Sequence, residues 1–317
     1  MNSRDEYCIM IDAIEDECSD ITKLLGYIRN IINHIKTIKK TPDFFSAENF
    51  INLDTESKIE FLKYAVKNLF LNEFMALITY CKSIICSKVI NDFLLLLINS
   101  ISKFTKCNQK LVCQTIELLI ELGCDIGYEN HSATILASTS RNFILQIILS
   151  HGGDACVANN MPIRQAVKFH ENLDNIILLV NYGADIHTQN DYIFRYAVYS
   201  NSINLINYCL DNGVDVNINN GIAIKYSIYN NSKIFDTLIS HGADINYIDG
   251  NDIFNLVQNC NLKFLQKLSD LGVRIDQLNS VRDDTGKCDK YYATFQFLQN
   301  NGVFDKNIIF ALYDKED

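Results

Sequence analysis

Seven glycines, Gly123, Gly152, Gly183, Gly213, Gly242, Gly272 and Gly302, follow one another at intervals of 29, 31, 30, 29, 30 and 30 residues. So regular a spacing demands a chain of like units, each leaning on its neighbours, rather than one globule closed around unique contacts. Every glycine ends an apolar segment. The residues seven and four places before it are apolar each time: Ile116/Leu119, Leu145/Ile148, Ile176/Leu179, Ile206/Cys209, Phe235/Leu238, Leu265/Leu268 and Phe295/Leu298. An i, i+3 pair is one face of a helix. A helix that stops after such a face needs a residue at ease in left-handed backbone, and glycine has no Cβ to oppose it. The seven glycines therefore read as helix stops.

A second apolar segment precedes each closing helix between Gly123 and Gly272: 133–139, 162–169, 193–200, 223–230 and 253–259. One small residue recurs inside it, at Ala137, Ala166, Ala197 and Ser227, and becomes Val257 in the last copy. A small side chain at a fixed helical position lets two helices approach closely. The unit is loop, helix, tight turn, helix, glycine, and it predicts an all-α stack. With only 2 Pro and 13 Gly in 317 residues, turn-dense β folds are poor alternatives.

At this point the residues carry a resemblance. The segments Tyr182-Gly183-Ala184-Asp185-Ile186, Asn212-Gly213-Val214-Asp215-Val216-Asn217 and His241-Gly242-Ala243-Asp244-Ile245-Asn246 resemble the G-A-D-V-N end of ankyrin repeats. Pro162-Ile163-Arg164-Gln165-Ala166 stands where that family has T-P-L-H-x-A. The resemblance covers about residues 108–302 and implies an ankyrin-type helix-turn-helix solenoid with degenerate terminal capping helices. The period is shorter than the family's usual one of about 33, which implies trimmed finger loops. The Asn/Ile-rich, shortened form is similar to the ankyrin paralogues of giant DNA viruses.

Residues 1–107 lack the glycine marker yet keep helical periodicity, with apolar stripes in Ile21–Lys39, Lys58–Leu69, Asn72–Tyr80 and Lys88–Phe104. They read as a helical N-terminal region of degenerate units and cap. Val281–Lys290 is polar where a first helix should stand, so that unit reads as degraded, and residues 303–317 read as a C-terminal cap, with Asn307–Tyr313 closing the stack.

Charge and cysteine usage narrow the function. Lys+Arg 28 against Asp+Glu 38 gives a net charge of -10, which repels a phosphate backbone, so nucleic acid is not expected as a partner. The 11 cysteines are scattered without a C-x-x-C pair, which is neither a disulfide framework nor a zinc cluster. No secretory h-region or membrane-length apolar run is present, so an intracellular, cytoplasmic monomer without membrane insertion is expected. Common catalytic signatures are missing, and neither an enzyme nor a cofactor is expected. A Cys156/His151 couple is the nearest approach to a nucleophile and base, with nothing to orient it. His151 and His241 precede stop glycines, where imidazole meets the negative end of a helix dipole.

The candidate contact residues follow from register. Arg164, Arg195 and Lys225 each lie two places before the small residue and form a basic column. It either hydrogen-bonds loops or grips an acidic partner. In ankyrin repeats the positions two and three places after the small residue face a concave groove. Here they include Lys168, Phe169, Tyr199, Tyr229 and Asn230, with Tyr199 and Tyr229 reading either as an aromatic anchor or as ordinary half-exposed tyrosines. Asn159, Gln189, Asn219 and Asp249 would rim the groove. The expected function is a non-catalytic scaffold holding a partner protein on that concave face through Lys168, Phe169, Arg195, Tyr199, Lys225, Tyr229 and Asn230. The alternative, by analogy, is an adaptor whose N-terminal region recruits ubiquitin-ligase machinery while the repeats select the target.

Overall fold

A computed structural model describes Gly26 and residues 53–168, 173–230, 232–259, 261–276 and 297–303. Apart from Gly26, which is helical, the expected helix at 21–39 lies outside these residues, as do the segments 281–290 and 307–313. Among the described residues there are helices and turns and no strand. The chain divides into two compact units, residues 1–184 and 185–317.

Among its described residues the first unit holds successive helix pairs: α1 (Thr55–Lys67), α2 (Leu71–Cys81), α3 (Ser87–Ile101), α4 (Gln109–Glu121), α5 (Tyr128–Ser138), α6 (Asn142–Ser150), α7 (Val157–Ala166) and α8 (Leu173–Asn181). Asp54 starts α1 by accepting a hydrogen bond from the Ser57 N–H, and Asn108 starts α4 through the Leu111 N–H, so two donors that every helix leaves unpaired are satisfied by side chains. Helices α3, α5 and α7 pack in succession, and α6 packs on α8. Phe74 and Phe93 meet edge to face at 5.3 Å in the core. The second unit repeats the plan with α9 (Thr188–Tyr199), α10 (Ile203–Asp211), α11 (Ile218–Asn230), α12 (Ser232–Ser240), α13 (Gly250–Gln258) and α14 (Leu262–Asp270), where Phe235 and Phe264 meet at 5.0 Å.

The apolar columns go where their period sends them. Ile116, Leu119, Leu145, Ile148, Leu179, Ile206, Cys209, Phe235, Leu238, Leu265, Leu268 and Leu298 are fully buried. Ala137, Ala166, Ala197 and Val257 are fully buried as well. Each large apolar side chain so placed contributes about 1.5–3 kcal/mol. The seven spaced glycines have φ between 78° and 96°, with Gly152 at 92° directly after His151 ends α6. At Gly152, as at Gly213, a Cβ would meet nothing within 4 Å, so the requirement there is the backbone angle itself.

Two further regularities shape the loops. Two residues after the glycine, Asp125, Asp154, Asp185, Asp215 and Asp244 each accept a hydrogen bond from the N–H two places on, at 2.8–2.9 Å. That Asx turn is why aspartate suits the position. Next, α5, α7, α9 and α11 each open on one left-handed turn: Glu129–His131, Ala158–Asn160, Gln189–Asp191 and Asn219–Gly221 all have φ between 49° and 68°. Each turn is closed by an i to i−4 bond, for instance from the Asn160 N–H to the Cys156 carbonyl at 2.9 Å. Left-handed backbone costs an L-residue roughly 1–2 kcal/mol, least for Asn, Asp and Gly. The abundance of Asn at these corners answers that cost. The unit after α12 departs from the pattern. It uses a single 3-10 turn, Ile245–Tyr247, and a capping box in which Asp249 and Asp252 exchange bonds with each other's backbone N–H.

Candidate partner-binding face

The basic column follows from the left-handed turns. A left-handed corner aims successive carbonyls together toward one side, where a side chain five or six residues on can reach both. Arg164 donates from Nε to the Asn159 carbonyl and from Nη2 to that of Ala158, both at 3.1 Å. Arg195 repeats this on Asn190 at 3.1 Å and Gln189 at 3.0 Å. The planar fork suits the pair of acceptors. Lys225 has no fork and reaches forward instead. Its ammonium lies 2.7 Å from the Asp249 carboxylate and 3.3 Å from that of Asp252. The Asp249 hydrogen bond is the main reason the Lys225 pKa rises above its ordinary value. Burial works to raise the Asp249 pKa, but Lys225 and the N–H groups of Asp252 and Asn251 together hold it below the usual carboxylate value. All three bases of the column thus bind protein groups, two in their own corner and one in the next repeat's.

Around this column α9 and α11 carry a strip of tyrosines. Tyr192, Tyr196 and Tyr199 follow at i, i+4 and i+7 on one helix face, their rings 6.2 and 6.3 Å apart in sequence. Tyr199 meets Tyr226 of α11 edge to face at 6.4 Å. The Arg195 guanidinium stands 5.9 Å above the Tyr192 ring. Tyr199 is 67% exposed and Tyr226 41%, more than a structural tyrosine needs.

Tyr229 is 40% exposed but differs in kind. Its hydroxyl donates to the Asp252 carboxylate at 3.0 Å and accepts from the Asn255 amide at 3.4 Å. Desolvation pushes the phenol pKa up to about 12; the Asn255 bond opposes the rise and the Asp252 charge adds to it. The ring partner of Tyr199 is therefore Tyr226, and Tyr229 belongs to the Lys225–Asp249–Asp252 cluster. Asn230 closes α11. Lys168 is exposed in the turn after α7, in the first unit, and Phe169 lies outside the described residues.

Sequence reasoning passed over Tyr192, Tyr196 and Tyr226. The signal was present, since Tyr196 and Tyr226 stand 30 residues apart, each one place before the small residue. It also passed over Asn175, which is fully buried where the neighbouring units have Ile144 and Leu205. The Asn175 amide donates to the carbonyls of Ser138 and Ser140 at 3.0 Å and accepts from Asn142 at 3.0 Å, tying one repeat to the next. The histidines before the stop glycines Gly152 and Gly242 bond the last helical turn: His151 Nδ1 lies 2.9 Å from the Ile147 carbonyl and His241 Nδ1 2.8 Å from that of Thr237. The Cys156 thiol donates to the Gly183 carbonyl at 3.0 Å. Burial, with the Asp191 charge second, pushes the Cys209 thiol to about 12, as expected of a core filler. Among the described residues no group of His, Cys, Asp or Glu is placed to hold a metal ion, and no helix is long and apolar enough to cross a membrane.

Comparison with known proteins bears on this directly. Residues 163–249 match the family model for ankyrin repeats, in three copies. The described residues are all-α, consistent with an ankyrin-type repeat solenoid, and the match spans α8 to α12, including the tyrosine strip and the basic column. Ankyrin repeats generally mediate protein–protein interaction, and proteins built from them are typically non-enzymatic scaffolds. No curated protein and no solved structure matches the chain.

Proposed function

We propose that this chain is a protein-binding scaffold whose contact surface is the concave side of the ankyrin repeats, centred on Tyr199 and Tyr226. The carrying observation is the exposure of two tyrosine rings that already touch each other. Such rings present a large contact area at low entropic cost and dominate interface energetics where they are found. Tyr192 and Tyr196 extend the surface along α9, Arg195, Lys225 and Tyr229 border it, and Asn230 follows at the end of α11. Lys168 stands at the matching repeat position of the first unit. Arg195 and Lys225 act by holding loops, since their hydrogen bonds go to Gln189, Asn190 and Asp249. The scaffold acts as a monomer inside a cell, in host cytoplasm if its kin are the shortened-repeat viral ankyrin proteins.

The test is site-specific crosslinking. A photoreactive amino acid at position 199 should capture a protein partner in cells, and the same group at Lys263, exposed on α14, should not. Equal capture at both positions, or at neither, would refute the assignment of this face.

A further inference from the structure

We propose that the tyrosine face binds a basic, arginine-bearing linear segment of its partner, with guanidinium groups stacked on Tyr199 and Tyr226 and paired with Asp249. The inference rests on the face assigned above and adds the chemistry of what fills it.

Three observations converge. The fold already uses this recognition twice within itself. The Arg195 guanidinium stands over the Tyr192 ring, and the Lys267 ammonium stands 5.1 Å from the Phe235 ring centroid and 5.7 Å from that of Phe264 while pairing with the Asp236 carboxylate. A cation beside an aromatic ring is the recurring device, and at Lys267 a carboxylate stands alongside as well. Tyr199 and Tyr226 offer the aromatic part of that device with both residues exposed to solvent. Tyr229, three residues from Tyr226 on α11, leads to Asp252 and from there to Lys225 and Asp249.

Charge is the second observation. In the cluster one ammonium faces two carboxylates, which leaves a negative excess, and about half of the Asp249 side chain remains accessible at 49%. The Lys225 charge is offset by the two aspartates beside it, and the Arg195 guanidinium, which keeps its charge, is turned to the carbonyls of Gln189 and Asn190 in its own corner. Third, the whole chain carries a net charge of -10, so a cationic segment is steered toward it and an acidic one repelled. Arginine suits the rings better than lysine, since its planar group stacks on an aromatic face and sheds water more readily.

Fluorescence anisotropy with the full chain tests this. The probes are labelled nine-residue peptides alternating glycine with arginine, lysine, citrulline or glutamate. The arginine peptide should bind tightest, and added salt should weaken it. The citrulline peptide, of the same shape without the charge, should bind about tenfold more weakly or worse. Combining Tyr199→Ala and Tyr226→Ala should weaken the arginine peptide about fivefold or more. Asp249→Asn, which keeps the side-chain acceptor that starts α13, should weaken it about twofold to threefold. An arginine peptide that binds no better than the citrulline or glutamate peptide, or that ignores the double tyrosine replacement, overturns the inference. If crosslinking at position 199 succeeds while the arginine peptide fails, the face stands and its proposed basic ligand does not. If both fail, both assignments fall.

Discussion

The Nε of Arg195 donates to the carbonyl of Asn190 at 3.1 Å, and Asn190 itself stands at φ 57° and ψ 58°. The fork of one residue thus closes over the left-handed corner made by the other. Arg195→Lys should lower stability by about 1 kcal/mol, because an ammonium cannot serve two carbonyls in the same plane. Asn190→Val should cost about 1–3 kcal/mol through the branched side chain in left-handed backbone, whereas Asn190→Gly should stay within about 0.5 kcal/mol. Urea unfolding midpoints read all three, and equal losses for valine and glycine would show that the corner is not left-handed in solution.

Gly153 is a place where one methyl group is too many. A Cβ there would lie 2.7 Å from the Thr134 hydroxyl oxygen and 2.9 Å from the Ile148 carbonyl oxygen. Gly153→Ala is expected to destabilise by about 1–3 kcal/mol. The Thr134 hydroxyl is buried without a hydrogen-bond partner, so its removal strands nothing. Adding Thr134→Ala should recover part of the loss and leave the part due to the carbonyl. A double-mutant cycle with no coupling between the two sites would contradict the contact.

Replacing Asn175 by leucine keeps the number and branching of its side-chain heavy atoms but removes the amide that donates to the Ser138 and Ser140 carbonyls. The expected loss is about 2–3 kcal/mol. Hydrogen exchange should localise the loosening to α5 through α8. A variant as stable as the parent would show that the amide clamp contributes nothing.

The Tyr229 phenol has a pKa of about 12 in the folded chain against an ordinary value of 10.0. A raised folded-state pKa means that the native state holds its proton while the unfolded chain releases one, so this contribution is complete below pH 10 and is lost as pH climbs toward 12. Tyr229→Phe removes it. Tyr64, Tyr128 and Tyr208 also have raised values and titrate in both proteins, so the difference between parent and variant isolates Tyr229. The gap in urea midpoints between parent and variant should narrow from pH 10 upward, and a constant gap would contradict the desolvation of the phenol that is the main cause of the rise.

The helices were legible because their information is periodic. Apolar residues at fixed offsets from Gly123 to Gly302 state a helical face without help from distant parts of the chain, and the all-α reading holds across the described residues. The left-handed corners were not legible, since local preference argues against three such residues in succession at Ala158–Asn160 or Gln189–Asp191. They exist together with Arg164 and Arg195, which reach back from the following helix. Of the proposed contact face, the exposure of Tyr199 follows from register alone. That its ring meets Tyr226, and that Tyr229 turns to Asp252, depends on how α9, α11 and α13 are set against one another, which no single helix encodes.

The two ways of using the basic column have different consequences for how such a chain can grow. A segment carrying Arg195 brings along both carbonyls that its fork grips, so a copied or transplanted length of sequence arrives with that corner already locked. A segment carrying Lys225 leaves Asp249 behind. Duplication is therefore cheap on one side of Gly221 and breaks an ion pair on the other.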